Sequence, residues 1–369
     1  MGHRLDSLDG LRAIAILWVS LYHYAVFWTP AGRGDNLLPY GDALAWIPLA
    51  SVGDLGVWLF FIVSGLVIAL SLTRSETAGQ FALRRLARLW PTMLICATLT
   101  FAATSLLGPP ELMRSLPEYL ISLTFVPPAH VGKVIGAGEM QWLDGAYWSL
   151  WVEVRFYAVA ALIYFATRWS LLRGWCVFAA LCAGVHLAGM AGVGPAEAAS
   201  RLLFAVYQPF FTVGIAFACL MRGEDRTLAW SVIGISVVLA LAYTAGAQGW
   251  DLTGNATRLC AIAGTFLLAG IAVLWGQGAR PLRWPPLTAL GRASYGYYLL
   301  HQNLGIALLA AVPVGGMMSI GAMLVIQAGL IALALALHSR VEKPLLRALR
   351  GWIDGPKPVS NAEGLVRGR

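Results

Sequence analysis

Ionisable and hydroxylated side chains set in long apolar stretches are the residues of this chain with chemistry to offer. His23 lies within one such stretch, Ser64 within a second, Glu153 within a third beside Ser149 and Tyr157, and His301 within a fourth beside Tyr298. A neutral imidazole accepts a proton near pH 7, a carboxylate can orient or hold one, and hydroxyls can donate to developing negative charge. An ionisable group in hydrocarbon costs several kcal/mol, so each is a functional candidate, to be weighed against a role in holding helices together. The same weighing makes His186, alone among Ala, Gly, Val and Leu, a packing histidine, and His130 and His338 loop or interface residues.

The apolar stretches must position these groups. With 59% hydrophobic and 12% charged residues and a mean hydropathy of +0.70, the chain requires the bilayer as its solvent. A span needs about 20 apolar residues. Charge-free stretches of that size run over 13–32, 55–73, 89–110, 174–196, 202–221, 227–250 and 259–279. An eighth, 147–167, is interrupted only by Glu153 and Arg155, and 293–339 divides into two at Gly315-Gly316. The expectation is an all-α polytopic membrane bundle of about ten transmembrane helices over residues 1–349, with 350–369 a short polar tail. Cys96, Cys176, Cys182, Cys219 and Cys260 fall inside the spans without CxxC pairing, so neither a disulfide framework nor a metal site is expected. Asp6 and Asp9 ahead of the first apolar run argue against a cleaved leader.

Lys and Arg collect on the cytoplasmic side of a membrane protein. With ten spans and the N-terminus inside, 20 of the 26 basic residues fall on the inner side and five (Arg33, Arg114, Lys133, Arg201, Arg258) on the outer, while Arg155 lies in a span. A cell (inner or plasma) membrane with both termini cytoplasmic is therefore expected. Anionic headgroups account for the net charge of +8, and no nucleic-acid partner is needed. Helical rise puts His23 roughly 16 Å above Arg12, Ser64 about 14 Å and Glu153 roughly 9 Å below their outer helix ends, and His301 about 12 Å above its inner one. The four are expected in one central band, as in a buried chamber. Glu153 shares a helix face with Ser149 and Tyr157 whereas Arg155 points about 200° away, so Glu153 is expected to find its partner on another helix. The connection 111–145, with Pro117, Pro127, Pro128 and an apolar patch over 119–126, is expected to face outward and close over a cavity.

Five motifs follow in order on five helices. They are Leu8-Asp9-Gly10-Leu11-Arg12 with ten residues between Arg12 and His23; Phe60-Phe61-Ile62-Val63-Ser64-Gly65; Arg84-Arg85-Leu86-Ala87-Arg88-Leu89-Trp90-Pro91; Trp148-Ser149-Leu150-Trp151-Val152-Glu153 through Phe156-Tyr157; and Gly291-Arg292-Ala293-Ser294-Tyr295 through Tyr298-Leu299-Leu300-His301. From about Arg4 to Leu349 this pattern resembles acyltransferase family 3, the bacterial multi-pass membrane O-acyltransferases. The resemblance implies that His23 is the residue needed for transfer and that the arginines opening the third helix serve the acyl donor. It implies acyl-coenzyme A, acetyl-coenzyme A above all, as a co-substrate rather than a bound cofactor. Family members O-acetylate polysaccharide, lipopolysaccharide or peptidoglycan units, or modify nodulation lipooligosaccharides or macrolides, so a glycan or glycolipid acceptor is implied. The fourth-helix motif usually runs Val-Glu-Glu-Gln-Phe-Tyr; here Val154 and Arg155 replace the second Glu and the Gln, and only Glu153 carries over. Some members also bear a C-terminal hydrolase-like domain that this chain lacks, so its transmembrane unit is expected to act alone or with a separate partner protein.

Acyl transfer to a hydroxyl needs a base, a positioned thioester and stabilisation of the oxyanion. His23 is the expected base. Arg12, Arg84, Arg85 and Arg88 are the expected holders of the donor's phosphates, with its arm pointing toward His23. Glu153 is the second expected catalytic residue; Tyr298, Ser64 and Tyr22 are candidate oxyanion donors, with Tyr157 and His301 as further members of the site. Direct transfer and a covalent acyl-histidine relay are both open at this point. The rival class is a transporter or flippase, which predicts unwound, Gly/Pro-interrupted helices in paired halves, a pattern not seen in the sequence. H-x4-D, G-x-S-x-G and P-loop patterns are absent.

Overall fold

The computed structural model describes residues 2–30, 32, 36–167, 170–247, 249–275 and 279–354, and these contain helices and connections but no strand. Where an apolar run follows a hydroxyl side chain, that side chain caps a helix: Thr77 accepts from the Gln80 N–H and Ser170 from the Arg173 N–H, opening α3 (Ala78–Leu107) and α7 (Leu171–Met190). The order is α1 (Gly2–Tyr22), which passes into a π turn (His23–Phe27); α2 (Gly56–Leu72); α3; short α4 (Leu116–Ser122) and α5 (Pro128–Ile135); α6 (Trp148–Ala166); α7; short α8 (Gly194–Leu202); α9 (Gln208–Arg222); α10 (Arg226–Ala247); α11 (Ala256–Leu274); α12 (Pro285–Leu300); α13 (Asn303–Ala310); α14 (Gly316–Leu337), a second π turn (His338–Glu342) and α15 (Lys343–Asp354).

Nine helical segments among the described residues are long and apolar enough to cross a membrane. The tenth expected span is present but broken: the chain over Pro285–Ala310 is two helices, α12 and α13, separated at His301 and Gln302, each too short to count alone. Residues 355–369 of the expected tail lie outside the described residues, as do Arg33 and Arg168 of the charge count.

Two close approaches position the site. Gly65 of α2 packs on Gly214 of α9, and a Cβ on either would collide with the other helix's backbone, so the helix carrying Ser64 sits tight against α9. At the start of α12, Gly291 lies on the backbone of Asp9, while Arg292 donates from Nε to Asp9 Oδ2 and from Nη2 to Asp6 Oδ1, both at 3.0 Å. Helix α12 starts at Pro285, ahead of Arg292, rather than at the first charge-free residue, so His301 lies roughly 24 Å along it.

The connection between α3 and α6 is folded. Ser115 and Glu118 form a capping box on α4, Tyr119 stacks on Phe101 with ring centroids 4.8 Å apart, and the Leu143 N–H donates to Ser122 Oγ at 3.0 Å. It covers the end of the bundle opposite the Asp9–Arg292 joint and delivers Asp144 to the start of α6.

Candidate active site

A cavity of ≈ 90 Å³ lies among α1, α2, α3, α6 and α12. Arg12, Arg85 and Arg88 line its arginine-rich end, Ser64, Glu153 and Tyr157 its middle, and Phe60, Ser149 and Tyr298 the end toward the α12–α13 break. Glu153 Oε1 accepts from Ser64 Oγ on α2 at 2.7 Å and from the Tyr157 hydroxyl one turn along α6. Its inter-helix partner is thus a hydroxyl. Arg155 points elsewhere, donating to the Leu202 carbonyl at 2.8 Å and lying over the rings of Trp151 and Phe204. It pins α8 to α6.

The arginines divide. Arg85 and Arg88, three residues apart on α3, share the face toward the cavity, and Arg12 joins them from α1. Arg12 has Asp9 at 3.5 Å, Arg85 donates to Ser71 Oγ at 3.0 Å, and Arg88 makes no hydrogen bond or ion pair among the described residues. Three guanidinium groups around one space with so few anions nearby favour an anionic guest. Arg84 is turned away from the cavity, donating to the Arg74 carbonyl at 2.7 Å and Ser75 Oγ at 3.1 Å, where it fastens the α2–α3 turn.

His23 and His301 form a separate layer beyond the cavity and do not line it. The expected single band is two layers, His23 paired with His301 in one and Ser64 with Glu153 in the other. His23 Nδ1 lies 2.9 Å from His301 Nε2, and His301 Nδ1 lies 2.8 Å from the Tyr298 carbonyl. The carbonyl can only accept, so His301 carries its proton on Nδ1 and accepts on Nε2. His23 must then donate from Nδ1, which leaves the lone pair on its Nε2. Tyr298 joins the layers: its ring centroid is 5.6 Å from that of His301 and 6.2 Å from that of Phe60. Its hydroxyl donates to the Ala146 carbonyl at 2.6 Å and accepts from Ser149 Oγ at 2.7 Å. The hydroxyl protons of Tyr298 and Ser64 are therefore engaged. Of the three candidate oxyanion donors, only Tyr22 lies against the histidine, with ring centroids 5.5 Å apart.

Both histidines stand at helix irregularities, His23 at the first residue of the π turn and His301 at the α12–α13 break. Non-helical backbone at membrane depth persists only where its polar groups find partners. The Tyr24 hydroxyl donates to the His301 carbonyl at 2.7 Å, with Gln327 Nε2 at 3.5 Å, and Asp144 Oδ2 accepts the Asn303 N–H at 2.8 Å while its Oδ1 accepts that of Ala146 at 2.8 Å. Burial pushes the Asp144 carboxyl up to about 6, with these two N–H bonds opposing. The break contains neither Gly nor Pro, so the expectation of uninterrupted spans was misplaced for a physical reason: the partners that permit it come from three other segments. Asp144, Tyr24 and Gln327 were not singled out in the sequence; the available signals were an Asp three residues ahead of a span and a lone Gln inside one. His186 is the satisfied packing histidine expected, 2.7 Å from Ser200 Oγ and edge-on to Tyr243.

A polytopic helix bundle with nine long apolar helical segments among the described residues and two buried polar layers is the architecture of an integral membrane protein. The chain belongs to acyltransferase family 3, whose acyltransferase domain matches residues 5–338, and is an acyltransferase. It is 27% identical to the acyltransferase MdmB of Streptomyces mycarofaciens, covering 97% of this chain and 96% of that protein. It is 26% identical to Nodulation protein 10 of Rhizobium leguminosarum bv. viciae, covering 94% of each. Against O-acetyltransferase OatA of Staphylococcus aureus the identity is 24% over 81% of this chain, which spans 50% of OatA. No solved structure matches the chain.

Proposed function

We propose that this protein moves an acyl group, acetyl in the first instance, from cytosolic acyl-coenzyme A to a hydroxyl of a cell-surface or exported glycan, with His23 as general base. The observation that carries the reading is the ordered chain from the Tyr298 carbonyl through His301 to His23, which leaves a lone pair on His23 Nε2. That nitrogen takes the proton of the acceptor O–H as the oxygen attacks the thioester carbonyl carbon. Collapse of the oxyanion breaks the C–S bond, and the departing thiolate receives the proton from His23. The phosphates of the donor are held by Arg12, Arg85 and Arg88 at the arginine-rich end, and its arm passes Glu153 toward Tyr298. The excess of basic residues on that face supports its assignment to the cytoplasm, with both termini there, in the inner or plasma membrane.

Purified wild type in lipid nanodiscs is expected to consume acetyl-coenzyme A, and His23→Ala to lose on the order of 10³-fold in kcat. Rapid quenching with labelled donor and no acceptor distinguishes direct transfer from a relay: labelled protein that disappears in His23→Ala replaces the direct scheme with an acyl-histidine. The interrupted α12–α13 segment, like the many spans with buried polar residues, is a feature a transporter would share. Movement of a glycolipid without thioester turnover would put that reading in its place.

A further inference from the structure

Helix α15 lies after the matched acyltransferase domain and lines no part of the buried cavity. It reads Lys343-Pro344-Leu345-Leu346-Arg347-Ala348-Leu349-Arg350-Gly351-Trp352-Ile353-Asp354. Leu345, Leu346, Leu349 and Ile353 fall on one face and are half-buried, and the helix packs against α3. Lys343, Arg347 and Arg350, at i, i+4 and i+7, form a basic row along one margin of that face. All three are exposed, and none makes a hydrogen bond or ion pair among the described residues. Arg350 lies close enough to Arg85 for the two charges to repel. Nearby acid does not balance the row: His338 takes Glu342 at 2.9 Å, which leaves Asp354 alone. Trp352, 77% exposed, stands on the opposite margin of the apolar face.

Two observations set this row at headgroup level. Helix α14, the π turn and α15 follow one another as a single apolar segment, and helical rise puts Lys343 roughly 40 Å from Gly316, about the thickness of a bilayer with its headgroups. On α3, Leu83, Leu86 and Trp90 are exposed at i, i+3 and i+7, an apolar stripe that runs beside Arg84, Arg85 and Arg88 and calls for lipid against it. We propose that α15 is an interfacial anchor whose basic row binds the phosphates of anionic phospholipids, with Trp352 seated at the boundary between headgroups and hydrocarbon. An exposed indole flanking Lys and Arg suits that boundary, whereas an acidic soluble partner would leave Trp352 in water. Three cations against an anionic surface favour the docked helix on the order of 10²-fold over a neutral surface. The anchor holds whatever guest the cavity takes, and through α3 it bears on the helix that carries Arg85 and Arg88.

Hydrogen exchange of the full chain in nanodiscs of phosphatidylcholine, with and without about a third phosphatidylglycerol, tests this. Exchange over 343–354 is expected to slow about tenfold or more in the anionic discs at low salt, and the difference to close at high salt while α10 stays unchanged. Lys343→Gln/Arg347→Gln/Arg350→Gln is expected to erase the difference with the same thermal midpoint as wild type in phosphatidylcholine. Arg347→Lys/Arg350→Lys, which keeps the charge, is expected to retain it. Equal exchange of wild type in the two bilayers would overturn the anchor, as would slowing that survives in the glutamine variant. A midpoint several degrees lower for that variant in phosphatidylcholine would make the row part of the fold and overturn it too. Slowing over 343–354 when acetyl-coenzyme A is added to phosphatidylcholine discs would give the row to the donor's phosphates and overturn the lipid assignment.

Discussion

The two ends of the buried site are built by different means. At the arginine-rich end, regular helices present Arg12, Arg85, Arg88 and Glu153 through simple helical spacing, and charge does the work. At the far end the backbone itself is interrupted, and Tyr24, Asp144 and Gln327 take up the N–H and C=O groups that the break releases. A regular helix can place a charge at a chosen depth, but it cannot place His301 with its ring nitrogen on another imidazole while its backbone carbonyl is released to the Tyr24 hydroxyl. Recognition of a charged donor needs the first construction; orientation of a proton acceptor needs the second.

After loss of His23 itself, the largest expected effect breaks the second construction at its centre. His301→Leu removes the acceptor for His23 Nδ1–H, so the imidazole is free to take the tautomer with its proton on Nε2, where it cannot act as base. kcat should fall on the order of 10²-fold with KM for acetyl-coenzyme A nearly unchanged. His301→Gln, whose side-chain carbonyl can accept the same hydrogen bond, should recover a substantial part of the rate. Equal losses in the two variants, or a collapse in the thermal midpoint of both, would show that His301 only packs the break.

How much was legible in the sequence divides along the same line. The helices, the opposite directions of Glu153 and Arg155, and the gathering of Arg12, Arg85 and Arg88 follow from apolar run length and the 3.6-residue period, which are local properties. The break at His301 is not local. Its sequence, Leu299-Leu300-His301-Gln302-Asn303-Leu304, lacks Gly and Pro and reads as continuous helix; only Tyr24, Asp144 and Gln327, all distant in the chain, make interruption tolerable. Arg84 misled for the converse reason. Charge, position and a spacing of four residues from Arg88 all group it with Arg85 and Arg88, but the Arg74 carbonyl and the Ser75 hydroxyl of the α2–α3 turn capture its guanidinium.

Asp144 offers a test of the far end that needs no substrate. Its folded value of about 6 lies above the 3.8 of an exposed aspartate, because burial disfavours the carboxylate more than its two N–H partners favour it. A raised acid binds its proton more tightly in the folded state, so this contribution is fully present below about pH 4 and is lost as pH rises through 6. The loss amounts to about 3 kcal/mol. Asp144→Asn, neutral throughout, should lack it. The difference in thermal midpoint between wild type and Asp144→Asn should therefore shift in the variant's favour between pH 4 and 7, then level off. Parallel curves would mean that the carboxyl titrates as an exposed one and that the α13 N-terminus is held by other groups.

The smallest expected effect sharpens the arginine-rich end. Arg88→Gln removes a cation that lines the cavity without a hydrogen bond or ion pair among the described residues, and KM for acetyl-coenzyme A should rise about tenfold, or about 1.4 kcal/mol, with kcat little changed. The dependence of that KM on salt should flatten, since one phosphate contact fewer is left to screen. Arg84→Gln, one turn away, should leave the same KM within twofold and lower the thermal midpoint slightly, because it unfastens the α2–α3 turn instead. Matching increases in KM for the two variants would show that the donor's phosphates reach past the cavity to the turn. The division between a cation offered to a guest and one spent on the fold would then disappear.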